Sequence, residues 1–155
     1  YTSRFLTLTK GTGVINRIFH SYGEYTGDME GRRNGALISM ENGNAVAFAI
    51  FNLQARGEMF VTHNDPVYEG MIVGLSSKSG DLEINVLKGK KLTNMRTQGT
   101  DENVVLTPVR KIAIAEQLSM LNTDEALEIT PKSCRLRKLV LDPHERKRQS
   151  RAKAS

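Results

Sequence analysis

Apolar residues recur along this chain in short bursts, separated by glycine-, asparagine- and charge-rich breaks. Tyr1, Phe5, Leu8 and partly Leu6 fall at helical spacing, which predicts a helix over Tyr1–Thr9. Lys10-Gly11 and Thr12-Gly13 follow, the punctuation of a helix C-terminus. Val14–Tyr22 alternates imperfectly and predicts a strand. Gly23–Asn34 is polar and carries Gly23, Gly27 and Gly31, so it reads as a linker or loop.

From Ala36 the pattern changes. Ala36–Met40 predicts a short buried strand, Glu41-Asn42-Gly43-Asn44 a turn, and the apolar run Ala45–Phe51 the returning strand of a hairpin. Asn52–Arg56 allows one helical turn before Gly57. Glu58–Val61 and Met71–Leu75 read as strands, with a polar turn over Ser76–Gly80. Asp81–Val86 alternates weakly through Leu82, Ile84 and Val86. Val104–Leu106 and Val109–Ile114 read as extended, interrupted by Pro108. Ala115, Leu118 and Leu121 predict a short helix, and Ala126–Thr130 and Cys134–Leu141 predict strands. Asp142 then suits an N-cap and Pro143 the first helical position, opening a basic helix or tail. The sum is an α+β chain, predominantly β, with a helix–strand remnant ahead of a small β-rich domain.

A chain of 155 residues buries one core, or one small core and a fragment of another. Beginning at Tyr1 without methionine, it reads as a piece of a longer protein or a processed one. The net charge is +5, and it is regional. Lys132–Lys153 holds nine Lys or Arg against Asp142 and Glu145. A second cluster, Lys88, Lys90, Lys91 and Arg96, lies in a glycine-bearing segment with Thr93, Asn94 and Gln98. Such segments suit phosphate-rich RNA, a reading favoured over a merely solvated loop because another basic cluster ends the chain. The basic tail lacks the apolar face of a membrane-surface helix, and no apolar run approaches the ~20 residues of a membrane span. Cys134 is the one cysteine, so no intrachain disulfide forms; a reducing compartment, the cytoplasm, is expected.

Catalytic constellations are not legible. His20, His63, His144 and Cys134 have no zinc-like spacing. Glu24, Asp28, Glu30, Asp65 and Glu69 sit in glycine- or proline-bearing loops, where solvated charge is the ordinary state. Arg135 beside Cys134 would lower a thiol pKa, but alternation places Cys134 inward with Leu136. No GxxxxGK[ST] phosphate cradle occurs. Arg32 and Arg33 either pair with Glu24 or Glu30 to fix a junction, or clamp phosphate with forked donors. In the Lys88–Gly99 segment, lysines would meet phosphates, Arg96 would stack, and Asn94 and Gln98 would reach base edges or ribose hydroxyls. With no aromatic pair there, it reads as a probe of RNA shape. Arg146, Lys147, Arg148, Arg151 and Lys153 either touch phosphates non-specifically or stay free.

Several ordered stretches resemble the C-terminal part of the TypA/BipA family of ribosome-binding translational GTPases. They are Gly31-Arg32-Arg33-Asn34-Gly35-Ala36-Leu37-Ile38-Ser39-Met40-Glu41-Asn42-Gly43, Phe51–Gly57, Tyr68–Gly74, Gly89–Arg96, Thr130–Ser133 and Arg135–Lys138. The resemblance covers essentially the whole chain. It implies that residues 1–28 are the remnant of an elongation-factor-G-like fifth domain. Residues 29–155 would then be the family's own C-terminal domain, with a basic loop at about 81–105 and a basic tail at about 142–155. It implies RNA contacts from Lys88, Lys90, Lys91, Asn94 and Arg96; the residues themselves add Gln98, Arg32, Arg33, Arg135, Arg137, Lys138, Arg146, Lys147 and Arg148 as further candidates. The implied partners are the ribosome, 23S rRNA, the acceptor arm of A-site tRNA and the parent's GTPase domains. GTP and Mg2+ would be bound by those domains, leaving this part without catalytic residues, metal or cofactor. Expected besides are a monomer, a role in ribosome assembly or stress adaptation, and a bacterial cytoplasmic setting, with organelles open. The alternative is a structural module that docks onto other domains or a protein partner and binds no RNA directly.

Overall fold

The computed structural model describes residues 2–25, 27, 32, 34–89, 105–109 and 112–154. The chain divides into two units, residues 1–30 and 31–155.

In the first unit, α1 (Thr2–Leu8) ends where Lys10 and Gly11 both take positive φ, at 52° and 80°. The Gly11 amide donates to the Leu6 carbonyl at 2.8 Å, closing the last turn as the glycine signal predicts. The strand expected over Val14–Tyr22 is not formed. Its alternating apolar residues Val14, Ile18 and Tyr22 are 82–95% exposed. A strand exists only through a ladder with a neighbour, and the described residues of this unit supply none.

The second unit is α+β. Its central sheet has the order β3-β5-β1-β6, from β1 (Ala36–Ser39), β3 (Gly57–Met59), β5 (Ile72–Ser76) and β6 (Leu82–Ile84). β1 runs antiparallel to β5 and parallel to β6, with a bulge between Leu37 and Ile38. A small pair, β2 (Gly43–Asn44) with β4 (Pro66–Val67), stands apart. The hairpin β7 (Glu125–Ile129) and β8 (Cys134–Lys138) is in register from Glu125 opposite Lys138 to Ile129 opposite Cys134.

Every residue of β1 is buried, because both faces of the sheet are covered. Leu37 points into one cluster with Val73 and Ile84, filled from above by α2 (Ala47–Gln54) through Ala49, Ile50 and Leu53. Ala36 and Ile38 point the other way, to Ile72 and to Leu136 of the hairpin, with Phe60, Leu121 and Leu127 at the margin. The result is three layers: helix, sheet, hairpin.

The returning strand expected at Ala45–Phe51 is instead helix from Ala47 onward, the start of α2. A continuous apolar run does not distinguish a buried strand from a buried helix. Within the helix Ala49, Ile50 and Leu53 are the buried positions, the i, i+1, i+4 rhythm of one helical face. Consequently Asn42-Gly43 does not close a hairpin; β1 finds its partners much later in the chain, in β5 from Ile72 and β6 from Leu82. Much of the expected strand and helix pattern downstream does form. α3 spans Ile114–Ser119 and α4 spans Pro143–Ala154. Asp142 caps α4 as predicted, its Oδ1 accepting from the amides of His144 at 2.6 Å and Glu145 at 3.3 Å.

Gly70 joins sheet to hairpin. It has φ +80°, its carbonyl accepts the Lys138 amide at 2.9 Å, and a Cβ there would lie 2.8 Å from the Leu141 Cα. Both the backbone angle and the close approach require glycine.

Candidate nucleic-acid interface

The basic residues singled out from the sequence divide into three groups once placed in the fold.

One group is buried. The Lys138 side chain is only 2% exposed. Its ammonium lies 2.6 Å from Asp81, 2.7 Å from Asp124 and 2.9 Å from Glu125. Arg32 completes the cluster, forking onto both carboxylate oxygens of Glu125 at 2.8 and 3.2 Å and onto the Asn34 carbonyl at 2.6 Å. Glu125 is fully buried and also accepts the Asn122 amide. Buried charge survives only when paired and hydrogen-bonded, and here each ion has several partners. Burial pushes the Lys138 ammonium down, but Asp124, Asp81 and Glu125 outweigh it and hold its pKa above the ordinary lysine value. Burial likewise pushes the Asp81 carboxyl up. The Ala36 amide, 2.7 Å away, with Lys138 and Arg32, more than reverses this and holds it below the usual aspartate value.

Arg32 therefore has an acidic partner of the kind a structural reading of the junction requires, Glu125; Glu30 lies outside the described residues. Arg32 and Lys138 are turned inward and committed to carboxylates. For Lys138 the signal was in the sequence: it shares the alternation of Cys134 and Leu136, whereas Arg135 and Arg137 fall on the opposite face.

A second group stands on the surface. Arg146 ties α4 to the domain: its guanidinium donates to the carbonyls of Val140 and Leu141 and meets Glu83 of β6 at 3.1 Å. Lys147 approaches the same Glu83 at 3.7 Å yet stays 65% exposed. Arg148 is 79% exposed, with a loose Glu145 contact at 3.7 Å. With Arg146 clamped, Lys147 and Arg148 of this twelve-residue helix stand exposed to solvent. Between α4, β6 and the hairpin is a cleft of about 880 Å3 whose walls carry Asp81, Glu83, Asp124, Lys138, Arg146 and Lys147. Arg135 and Arg137 are half-buried on the outer face of β8. Arg135 sits 3.8 Å from Glu128, which accepts the Tyr68 hydroxyl at 2.7 Å. Burial and that carboxylate push the Tyr68 phenol up to about 12.

The third group belongs to the basic loop. Lys88 is exposed at its start. Lys90, Lys91, Asn94, Arg96 and Gln98 lie outside the described residues, as does Arg33. The boundary at 81 is too early: Leu82–Ile84 is a sheet strand, and Ile84 and Val86 are core residues. What sequence reading missed is how the loop is seated. The Val86 carbonyl accepts from the Val46 amide at 2.9 Å, and Leu87 packs on the core beside Gly43. On the returning side Leu106 packs on the same core, and the Gln54 carboxamide pairs with both backbone groups of Thr107.

Among the described residues no three His, Cys, Asp or Glu side chains are grouped to hold a metal, and no helix is long and apolar enough to cross a membrane. A GTP–Mg2+ site does not fit this chain's residues, since no sequence element supplies the phosphate cradle.

Comparison with known proteins places this geometry. Residues 34–143 match the TypA/BipA C-terminal domain family. The chain is 51% identical over 152 residues to the large ribosomal subunit assembly factor BipA of Buchnera aphidicola from Schizaphis graminum, covering 97% of this chain and 25% of that protein. It is 47% identical to the protein of the same name in Escherichia coli K12, covering 98% and 25%, and 47% identical to that of Salmonella typhimurium, covering 97% and 25%. The chain thus spans about a quarter of the length of these relatives. It belongs to the TypA/BipA family.

Proposed function

We propose that this chain is the ribosome- and RNA-contacting portion of a translational GTPase that acts in assembly of the large ribosomal subunit. The observation that carries the reading is the helix α4, docked by Arg146 and displaying Lys147 and Arg148, in a chain whose relatives are named as large-subunit assembly factors. An exposed, anchored basic helix offers phosphates a fixed array of donors at small entropic cost. The basic loop acts with it: Lys88, Lys90, Lys91, Asn94, Arg96 and Gln98 meet 23S rRNA or the acceptor arm of A-site tRNA, with Arg33, Arg135 and Arg137 as peripheral contacts. Nucleotide and Mg2+ chemistry belongs to the parent's GTPase domains, and the setting is the bacterial cytoplasm. This chain acts as a monomer and contributes binding and placement.

The test is co-sedimentation with large subunits and whole ribosomes, with and without A-site tRNA, across a salt series. Retention should fall steeply with salt, because each neutralised phosphate adds ~0.7–0.9 to the logarithmic slope. Lys88→Glu with Lys147→Glu and Arg148→Glu should lower both retention and slope while leaving the fold intact. A folded wild-type chain that is not retained even at low salt, or a folded triple variant that binds as well as wild type, would sink the reading.

A second reading applies to the first unit. Val14, Ile18, Phe19 and Tyr22 are 70–95% exposed, too much apolar surface for a segment meant only for water. We propose that these residues dock onto protein, as the strand of an elongation-factor-G-like fifth domain would, joining the chain to its GTPase domains. Binding of a separately expressed GTPase portion, lost on Ile18→Lys with Tyr22→Lys, tests it. An unchanged affinity would refute it.

A further inference from the structure

The two limbs of the basic loop leave and re-enter the domain at opposite ends of one helix. At the start of α2, the Val46 amide donates to the Val86 carbonyl at 2.9 Å, fixing the outgoing limb just before Lys88. At its last residue, the Gln54 Nε2 donates to the Thr107 carbonyl at 3.0 Å, while the Thr107 amide donates to Gln54 Oε1 at 3.2 Å. A side-chain amide that binds both backbone groups of one residue imitates a neighbouring β-strand. It fixes the orientation of that residue as well as its distance. Leu87 and Leu106 sink into the same apolar cluster on either side, so each limb has one apolar and one polar tether. The helix between the tethers has eight residues, about 12 Å at ~1.5 Å per residue.

We propose that Gln54 is a positioning residue for the basic loop. α2 acts as a spacer of fixed length, and the Gln54 carboxamide holds the returning limb at its far end, so the two limbs start from a base of set width. The polar contact has no other evident use. Gln54 is half-buried on the surface side of α2, outside the apolar cluster, and the fold's packing does not need it. This inference rests on the RNA-contact reading for its purpose, but not for its geometry.

The experiment uses the whole chain with Gln54→Leu, which keeps the side-chain volume and removes both polar groups, and Gln54→Glu, which keeps only the acceptor for the Thr107 amide. Three quantities are read on each: thermal midpoint, hydrogen–deuterium exchange of the Thr107 amide, and retention on large ribosomal subunits. Gln54→Leu should leave the midpoint within a few degrees of wild type. It should raise Thr107 exchange at least about fivefold, the equivalent of one net hydrogen bond, and weaken retention by a comparable factor. Gln54→Glu should fall between Gln54→Leu and wild type in exchange and retention. A side chain serving only as filler would be replaced by leucine without change. Unchanged Thr107 exchange in Gln54→Leu overturns the anchor. Faster exchange with wild-type retention, where the Lys88, Lys147 and Arg148 charge reversals do weaken binding, overturns the positioning role. If those reversals have no effect on retention, it is the RNA reading that fails, and the exchange result alone upholds or overturns the anchor.

Discussion

The cluster around Lys138 and the helix α4 are built from the same side chains and do opposite work. In the cluster, Lys138 and Arg32 are almost wholly buried, each meeting carboxylates at 2.6–2.9 Å. On α4, Lys147 and Arg148 are mostly exposed and meet carboxylates only at 3.7 Å. A buried cation is expensive to desolvate, and removing its partner strands an ion inside the protein. A surface cation gains little from its neighbours and keeps its hydration, so it remains available to a phosphate. Being basic therefore says nothing about role until burial is known.

The sharpest way to break the comparison is to remove the buried member. Lys138→Met keeps the volume but leaves Asp81, Asp124 and Glu125 with Arg32 as their only cation in the cluster. A loss of about 3–5 kcal/mol is expected in urea unfolding. A loss under about 1 kcal/mol would mean the cluster is no more than a surface network.

The same cluster sets limits in pH. The Asp81 pKa is lowered in the fold, so its contribution is present above the unfolded value near 3.8 and is lost as pH falls through the lower folded value. The Lys138 pKa is raised, so its contribution is present below 10.5 and is lost as pH rises through the higher folded value. Thermal midpoints should be flat between these limits with respect to this cluster and should fall outside them. In Lys138→Met the alkaline fall due to Lys138 should vanish.

Arg146 is the intermediate case, half in each class. Arg146→Ala removes the Glu83 pair and two carbonyl contacts and should cost about 1–2 kcal/mol. The helical signal of α4 in far-ultraviolet circular dichroism should weaken with it, and a fully retained signal would show that the clamp is dispensable. Least affected should be the stability of Lys147→Glu with Arg148→Glu, which should stay within ~0.5 kcal/mol of wild type. The effect of that pair belongs to ribosome retention.

Elements that obey one local rule were legible in the sequence. α4 declares itself through Asp142-Pro143, and the hairpin through two alternating runs about Pro131-Lys132. α2 was not legible as a helix, because Ala45–Phe51 is apolar at nearly every position and only the tertiary setting selects which face is covered. The seating of the loop was hidden for another reason. Gln54 and Thr107 are polar residues in unrelated stretches, and nothing local announces that they pair. Nor could periodicity reveal which acid meets Arg32, since Glu125 lies 93 positions away. Lys138 is the instructive miss, because its composition suggested a surface contact while its place in the alternation put it in the interior.

The sheet order has a consequence for the birth of this domain. β1 is one of its two interior strands, yet both of its partners, β5 and β6, follow it in the chain. A nascent chain delivers residues at ~5–20 per second, so roughly 2–7 s separate Ala36 from Ile72. Throughout that interval Ala36, Leu37 and Ile38, among the most deeply buried residues of the finished fold, have nothing to pair with. The strand with most to hide is synthesised first and sheltered last, so this short stretch is where a nascent-chain chaperone has most to protect.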